Sequence, residues 1–437
     1  MRRLLPVLVA LGCGTTRPAG PACAGGPVFL PAVPGVEARL RDLRTWTSRL
    51  PEGDADRVLL EPDEIAALNR RNAATRAGAM DVLDGESASP QRIEAETHER
   101  LDLMRHRLGV GVNVEGEPGS FDVAQARAMG AAAIDEVRVV HTEVALRCVP
   151  MTAPLYVPPI DPDFDRNRCS GLHPAEVVRV LRRTEDGWLY VHAAYSMGWL
   201  RAESLTPPVD REAARRLRDD GPRLVVLDDR VPTDRGTVLR LGTSVPLLGA
   251  TESGGRRVLV PTPEGLAEAT VAADAHVREG FLPFTRRNVW TLAFAELDRP
   301  YGWGDVRGER DCSRLVLDVF SAFGLRLGRH SSAQADSGAR TVELGGKSEP
   351  EKLAALREAG ARGVVLVFMP GHIMLYLGED AARPWAVSSL SEFLRPCDGG
   401  VEVVRIDRVA VTDLELGRGT DRTSFLERLE RLAVFGP

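Results

Sequence analysis

The chain has 437 residues, of which 43% are hydrophobic and 27% are charged, and its formal net charge is −6. This length exceeds what a single hydrophobic core organises and predicts about three domains. The composition is that of a soluble globular protein, and the acidic balance argues against binding to nucleic acid or to an anionic membrane surface.

The first segment is typical of an export signal. A basic start, a short apolar run and a small residue precede Cys13 in the stretch Met1-Arg-Arg-Leu-Leu-Pro-Val-Leu-Val-Ala-Leu-Gly-Cys13. The run is too short to span a membrane, as expected of a secretory signal. Its last four residues resemble a lipobox, whose cysteine is acylated, while an ordinary signal peptide cleaved near Ala22 or Ala24 is the alternative. We therefore assign residues 1–24 to a signal or lipoprotein segment with part of a tether. We expect an exported protein that touches a membrane only through lipid on Cys13.

The remaining cysteines suggest few cross-links. Residues 14–36 are rich in Gly, Pro and Ala and are predicted to form a flexible tether, which contains Cys23. Cys148 and Cys169 fall in one small predicted domain, and an exported protein permits a disulfide between them. Cys397 has no assignment. No Cys/His cluster has the spacing of a structural zinc site, so we predict no metal.

Residues 37–135 are predicted to be mostly helical. Leu60–Asn69 has a capping-type start before an apolar periodicity, and Ser89–Leu108 is a second, strongly charged helix. His98 and His106 lie in this second helix. They are interpreted as solvated helix residues without a function.

Two sets of short β patterns separated by turn residues follow, as in small barrels. The first set occupies residues 136–207 and the second occupies residues 223–284. The predicted strand segments are Val137–Val140, Glu176–Leu181, Gly187–Leu200, Leu224–Leu227, Ser244–Leu248, Arg257–Val260 and Gly280–Pro283.

The last segment, residues 285–437, contains a candidate nucleophile. A glycine-rich loop leads to Asp311, a favourable N-cap residue, so that a helix is predicted to begin at Cys312. Unpaired backbone N–H groups and the helix dipole favour a thiolate at that position. A buried, inert cysteine is the alternative interpretation.

A candidate partner for this cysteine lies downstream. Two short apolar strands are predicted to meet at Pro370-Gly371, and His372 opens the second of them. A histidine at the mouth of a strand is well placed to face a cleft. A cysteine and a histidine that are distant in sequence and meet in the fold are the usual form of a thiol hydrolase site.

Three separated motifs, in this order, resemble the NlpC/P60 family of cell-wall cysteine peptidases. They are Tyr301-Gly-Trp-Gly, Asp311-Cys-Ser-Arg-Leu-Val-Leu-Asp-Val-Phe and Pro370-Gly-His-Ile-Met-Leu-Tyr-Leu-Gly. The chain resembles in particular the members with two bacterial SH3 domains, and the likeness covers roughly residues 45–432. It implies an α+β protein: an N-terminal helical stabilising segment, two small SH3-like β-barrels and a papain-like catalytic domain in residues 285–437.

The resemblance also implies an activity. Cys312 and His372 would form a thiolate–imidazolium pair that hydrolyses the stem peptide of peptidoglycan after γ-D-Glu, without a cofactor. The partners would be stem peptides or muropeptides, with a preference for stems that carry a free N-terminal L-Ala. The protein would be periplasmic or a membrane-anchored lipoprotein facing the cell wall, and its multidomain layout favours a monomer.

Four further residues are implied to bind substrate. Asp311, Ser313 and Tyr301 would line the subsite next to the nucleophile, where they would help to bind the amino group of L-Ala. Simple helix capping is the alternative role of Asp311. Tyr195, from the first barrel, would help to close one end of the cleft.

Two departures from the family pattern bear on activity. The family usually orients its histidine with a second histidine, but no histidine follows His372 in this chain. Ser388 is the expected occupant of that place, with Ser389 and Glu392 as alternatives. Arg314 stands where a small glycine is frequent. A catalytically weak or inactive muropeptide-binding protein is therefore the main alternative function, and an acyltransferase or amidase is the third.

Overall fold

The computed structural model describes residues 22–75, 77–83, 89–108, 120–158, 160–218 and 221–437. Its α-helices are α1 (Leu43–Thr47), α2 (Pro62–Thr75), α3 (Pro90–Leu108), α4 (Ser120–Met129), α5 (Arg211–Arg218), α6 (Arg286–Ala295), α7 (Cys312–Ser321), α8 (Ser331–Ala335), α9 (Glu349–Arg362) and α10 (Phe425–Arg428). Short 3₁₀ segments lie at Ala38–Arg41, Ala202–Ser204 and Trp303–Gly308.

The strands of the first half are β1 (Val28–Phe29), β2 (Ala132–Val139), β3 (Val144–Arg147), β4 (Arg168–Leu172), β5 (Val177–Arg183), β6 (Trp188–Ala193), β7 (Met197–Arg201), β8 (Arg223–Val226), β9 (Val231–Pro232) and β10 (Val238–Leu239). Those of the second half are β11 (Ser244–Ala250), β12 (Arg256–Thr262), β13 (Gly265–Val271), β14 (Val277–Glu279), β15 (Arg340–Glu343), β16 (Val364–Met369), β17 (His372–Asp380), β18 (Arg383–Cys397), β19 (Gly400–Asp413) and β20 (Arg431–Phe435).

The protein is thus of mixed helix and sheet, as predicted. Across the described ranges, each helix is too short or too polar to cross a membrane. The predicted lipid site, Cys13, lies outside those ranges.

A seven-stranded sheet with helices on both faces forms the main core. Its strand order is β1-β19-β18-β17-β16-β20-β15. Apolar side chains of β17 alternate between the two faces. Ile373 and Leu375 pack in one core cluster with Val316 and other residues of α7. Met374 packs in the other cluster, which includes residues of α9 and α10. This arrangement brings the first turn of α7 to the mouth of β17.

The two predicted sets of short strands form separate small sheets. Strands β2 to β7 make a six-stranded sheet, and β8 and β11 to β14 make a five-stranded one. The first set begins at Ala132, four positions before the predicted boundary, and the predicted strand Gly280–Pro283 is wrong because β14 ends at Glu279. Helix α5 links the two sheets in a stretch without a sequence-based prediction. The SH3-like identity of both sheets stays a prediction.

The predicted flexible tether is wrong for its described part, which is fixed to the main sheet. Strand β1 pairs in parallel with β19, so that Val28 lies opposite Val404. Cys23 forms a disulfide with Cys397, 374 positions away in sequence. The glycine- and proline-rich composition of this stretch gives no information about a distant partner. The possible disulfide between Cys148 and Cys169 is present.

Candidate active site

Cys312 is the first residue of α7, and its side chain is only 7% exposed. Asp311 caps the helix: its carboxylate accepts a hydrogen bond from the backbone N–H of Arg314 at 2.9 Å. The backbone N–H groups of Ile373 and Ser313 lie close to the thiol and act to lower its pKa. Because Ile373 follows His372 directly, the predicted nucleophile lies beside the first residues of the strand that carries the predicted base. Among the described cysteines, Cys312 is the one outside a disulfide.

His372 opens β17 and is held by Ser388 on the neighbouring strand. The distance between His372 Nε2 and Ser388 Oγ is 3.1 Å. The antiparallel pairing of β17 with β18 places Leu375 opposite Val387, which puts Ser388 and His372 on the same face. Phe425 packs against the imidazole, with ring centroids 6.0 Å apart.

The two alternative third members lie elsewhere. Ser389 points to the other face of β18, where its hydroxyl donates to the carbonyl of Arg310 at 2.7 Å. Glu392 lies 3.4 Å from Arg405. Of the three candidates, the structure therefore brings Ser388 to the imidazole.

Burial acts on both members of the predicted thiolate–imidazolium pair, and in each case it disfavours the charged form. Burial, with a smaller effect of the Asp311 carboxylate, raises the pKa of the Cys312 thiol to about 12. Burial, with a smaller effect of the Arg428 guanidinium, lowers the pKa of His372 to about 4. With these pKa values, both groups are neutral at neutral pH.

We expect the alkylation of Cys312 by iodoacetamide to be slow at neutral pH and to rise with pH. Only the thiolate reacts, so the rate should increase about tenfold per pH unit between roughly pH 6 and 10. Mass spectrometry of the peptide that contains Cys312 measures this rate without interference from other cysteines. A rate that is constant from about pH 5 to 8 would instead indicate a preformed ion pair.

Both oxygens of the Asp311 carboxylate accept hydrogen bonds from other groups of the protein. Arg329 donates to its two oxygens at 2.9 Å and 2.6 Å, and the N–H of Gly304 adds a bond of 3.2 Å. The same guanidinium donates to Ser313 Oγ at 2.8 Å and to Ser170 Oγ at 2.8 Å. Burial alone would raise the pKa of Asp311, but Arg329 and the N–H donors hold it below its ordinary value. The capping role of Asp311 is confirmed, and its role as a partner for a substrate ammonium stays a prediction.

Tyr301 lies beside the nucleophile, and an aromatic residue that the sequence interpretation missed packs against it. Burial raises the pKa of the Tyr301 hydroxyl well above its usual range, with further contributions from Asp311 and Cys312. Phe164 comes from the loop between β3 and β4, and its ring centroid is 6.3 Å from that of Tyr301 and 5.2 Å from that of Trp303. Phe164 is therefore the aromatic residue that the first small sheet contributes beside Tyr301.

Tyr195 contacts Arg314 and Glu176. Its hydroxyl accepts a hydrogen bond from Arg314 Nη1 at 2.6 Å and contacts the carboxylate of Glu176 at 2.6 Å and 2.8 Å. The Arg314 guanidinium also lies over the Tyr195 ring, 5.2 Å from its centroid. Tyr195 thus binds the arginine that replaces the usual glycine, and it is Phe164 that contacts Tyr301. The cleft-closing role of Tyr195 stays a prediction.

Alternating arginine and acidic side chains extend from Asp311 to Asp229 and Arg240, which lie in the loops after β8 and β10, and we call them the arginine ladder. Its four arginines are each less than 5% exposed. In order, its ion pairs are Asp311–Arg329 (2.6 Å), Arg329–Asp305 (3.3 Å), Asp305–Arg314 (3.3 Å), Arg314–Asp318 (2.7 Å), Asp318–Arg310 (2.7 Å), Arg310–Asp229 (2.9 Å) and Asp229–Arg240 (2.6 Å). The ladder ties the first two turns of α7 to the second small sheet.

Known proteins are similar to this chain in fold, and one segment matches a known family. No curated protein matches the chain. An NlpC/P60 endopeptidase from Photobacterium damselae subsp. piscicida is similar in structure, with a TM-score of 0.73, 15% identity and coverage of 94% of this chain and 100% of that chain. An NlpC/P60 family protein from Bacillus cereus ATCC 10987 gives a TM-score of 0.47 and 16% identity over 69% of this chain and 100% of that chain. Residues 298–382 match the model of the NlpC/P60 family. The segment that holds both Cys312 and His372 is therefore an NlpC/P60 family domain.

Proposed function

We propose that the protein is a cysteine endopeptidase of the cell wall, which hydrolyses the stem peptide of peptidoglycan between γ-D-Glu and the following diamino acid. The observation that carries this proposal is the arrangement of three groups in the NlpC/P60 domain. The thiol of Cys312 contacts the N–H of Ile373, and the adjacent His372 is held by Ser388 at 3.1 Å. A thiol, a base and a group that orients the base are what nucleophilic amide hydrolysis requires.

The neutral resting state defines the order of the chemical steps. We assign His372 the tautomer in which Nε2–H donates to Ser388 Oγ, because this leaves Nδ1 unprotonated as the base. His372 accepts the thiol proton as the sulfur attacks the carbonyl carbon, and backbone N–H groups at the start of α7 stabilise the oxyanion. The imidazolium then protonates the leaving amine, and water releases the acyl group from Cys312.

The N-terminal end of the preferred stem differs from the one that the family resemblance implied. A free L-Ala ammonium would need an available carboxylate next to the nucleophile, but Arg329 already binds both oxygens of Asp311. Displacing a buried guanidinium leaves an unpaired charge, which is costly. We therefore propose that stems whose L-Ala nitrogen is acylated, as it is in intact peptidoglycan, are accepted at least as well as stems with a free amine.

Two disulfides support the proposal that the protein is exported. Cys23–Cys397 and Cys148–Cys169 bonds persist in oxidising compartments outside the cytosol. The Cys23–Cys397 bond can form only if Cys23 remains in the protein after the signal segment is cleaved. Cleavage before Cys13, as in a lipoprotein, or near Ala22 retains that residue, whereas cleavage after Ala24 removes it.

The direct test is the incubation of the purified protein with L-Ala-γ-D-Glu-diaminopimelate and with its N-acetyl form. We expect mass spectrometry to detect L-Ala-γ-D-Glu and acetyl-L-Ala-γ-D-Glu, with the acetylated peptide cleaved at least as fast. Cleavage of neither peptide, or at another bond, contradicts the proposed activity. Binding without cleavage supports the muropeptide-binding alternative, which the replacement of the second histidine by Ser388 favours.

A cleavage rate about tenfold higher for the free amine would show that a substrate ammonium displaces Arg329 from Asp311. It would leave the endopeptidase proposal intact and overturn only the proposed tolerance of acylated stems. Failure of both binding and cleavage would direct attention to acyl transfer or amidase chemistry at the same cysteine.

A further inference from the structure

A small groove lies next to His372. Its volume is about 130 Å³, and its walls come from the Pro370-Gly371 turn, residues 390–394 of β18, and the segment from Gly417 to Arg428 that includes α10. His372 itself lines the groove. In the proposed reaction His372 protonates the leaving amine, which makes a groove beside this imidazole a candidate site for the residue that leaves.

Two guanidinium groups line this groove without an acidic partner. Within the described ranges, neither Arg422 nor Arg428 forms an ion pair with a carboxylate, and the one hydrogen bond of Arg428 is a 3.4 Å contact with the carbonyl of Pro370. The neighbouring Arg418 is different, because it pairs with Glu349 at 2.9 Å and also with Glu415. The two arginines of the groove therefore differ from Arg418, because they have no carboxylate partner among the described residues.

The electrostatic state of the groove favours an anion. Burial lowers the pKa of Arg428, and the positive charge of Arg422 lowers it further. The charge of Arg428 also contributes to the low pKa of His372. The acidic residue of the groove, Glu392, is already 3.4 Å from Arg405. A carboxylate bound between the two free guanidinium groups would relieve their repulsion and replace the water that burial removes.

We propose that Arg422 and Arg428 bind a carboxylate of the leaving residue. This inference rests on the proposed function, since it requires the stem to be cut beside His372. Diaminopimelate carries a carboxylate at the far end of its side chain, whereas lysine at the same place in a stem ends in an ammonium alone. The groove therefore selects a leaving residue of the diaminopimelate type over lysine and over a diaminopimelate whose side-chain carboxylate is amidated.

The test compares two stem peptides that differ in one group: L-Ala-γ-D-Glu-diaminopimelate with a free side-chain carboxylate, and the same peptide with that group as a carboxamide. Because hydrogen bonds to charged groups are strong, we expect the wild-type kcat/KM to favour the carboxylate by about tenfold or more. The double variant Arg422→Gln/Arg428→Gln should lose this preference. Arg362→Gln, which removes an arginine that pairs with Glu358 at 3.0 Å outside the groove, is the matched control and should keep it.

Equal kcat/KM values for the two peptides in the wild type, or a preference that the double variant retains, would overturn the inference. Should the wild type cleave neither peptide, the affinities of both peptides measured by calorimetry decide instead. Tighter binding of the carboxylate peptide that is lost in the double variant would support the groove even though hydrolysis had failed, and equal affinities would overturn it. Arg428→Lys retains a cation and is expected to keep part of the preference, which provides a second readout if the glutamine variants unfold.

Discussion

Replacement of Cys312 by alanine is expected to abolish hydrolysis of the stem peptide, with a loss in kcat of about 10⁴-fold or more. The variant lacks the atom that forms the acyl-enzyme, and no other free cysteine lies in the described part of the chain. His372→Ala should have a similar effect, because nothing then accepts the thiol proton, whose pKa of about 12 keeps the sulfur protonated at neutral pH. Peptide binding should persist in both variants, and calorimetry with the uncleaved peptide provides the check.

Two alanine variants of neighbouring serines show whether the hydroxyl that contacts the imidazole matters for catalysis. Ser388→Ala removes the partner of His372 Nε2 and should lower kcat by about tenfold with little change in KM. Ser389→Ala is the control, because its hydroxyl binds the carbonyl of Arg310 on the other face of β18. If the Cys312→Ala variant retained wild-type kcat, the thiol mechanism would be wrong. If Ser389→Ala lowered kcat more than Ser388→Ala, the assignment of the third member would be wrong.

Removal of Arg310 is expected to produce the largest loss of stability among the arginine variants. Its guanidinium meets three carboxylates, those of Asp318 at 2.7 Å, Glu296 at 2.8 Å and Asp229 at 2.9 Å, and all four side chains are almost completely buried. Breaking a buried ion pair by removing one partner costs about 3–5 kcal/mol, because the remaining charges stay buried without compensation. Arg310→Met, which keeps much of the side-chain volume, should therefore lower the free energy of unfolding by about that amount or more.

Urea denaturation of Arg310→Met beside Arg362→Met provides the measurement and its control. Arg362 forms an exposed pair with Glu358 one helical turn away, and such pairs contribute less than about 1 kcal/mol. A loss of stability in Arg310→Met no larger than in Arg362→Met would show that the ladder is not a structural link between α7 and the second small sheet.

Residues close together in sequence were sufficient to predict the helix that carries the nucleophile and the strand that carries the base. Asp311 is a good N-cap and is followed by apolar residues at helical spacing, so the start of α7 at Cys312 could be predicted. The Pro370-Gly371 turn between two apolar runs likewise indicated the pairing of β16 with β17. In both cases the deciding residues are neighbours in sequence.

The environment of the site depends on residues that are distant in sequence and could not be predicted. Arg329 lies 18 positions after Asp311, and a single arginine in a loop carries no signal of the carboxylate that it meets. Phe164 reaches Tyr301 only because the first small sheet docks on the NlpC/P60 domain. Arg314 was recognisable as a departure from the family pattern, and Asp318 is its neighbour one helical turn later, but its partners Asp305 and Glu176 follow from packing alone.

Hydrolysis of L-Ala-γ-D-Glu-diaminopimelate in ¹⁸O-labelled water tests the central claim most directly, because the label marks the carbonyl that the enzyme attacks. We predict that the wild type releases L-Ala-D-Glu with the label in the γ-carboxyl group, together with unlabelled diaminopimelate, and that Cys312→Ala releases neither. Label in another carboxyl group, the same products from Cys312→Ala, or intact peptide after incubation with the wild type would contradict a Cys312-dependent cleavage after γ-D-Glu.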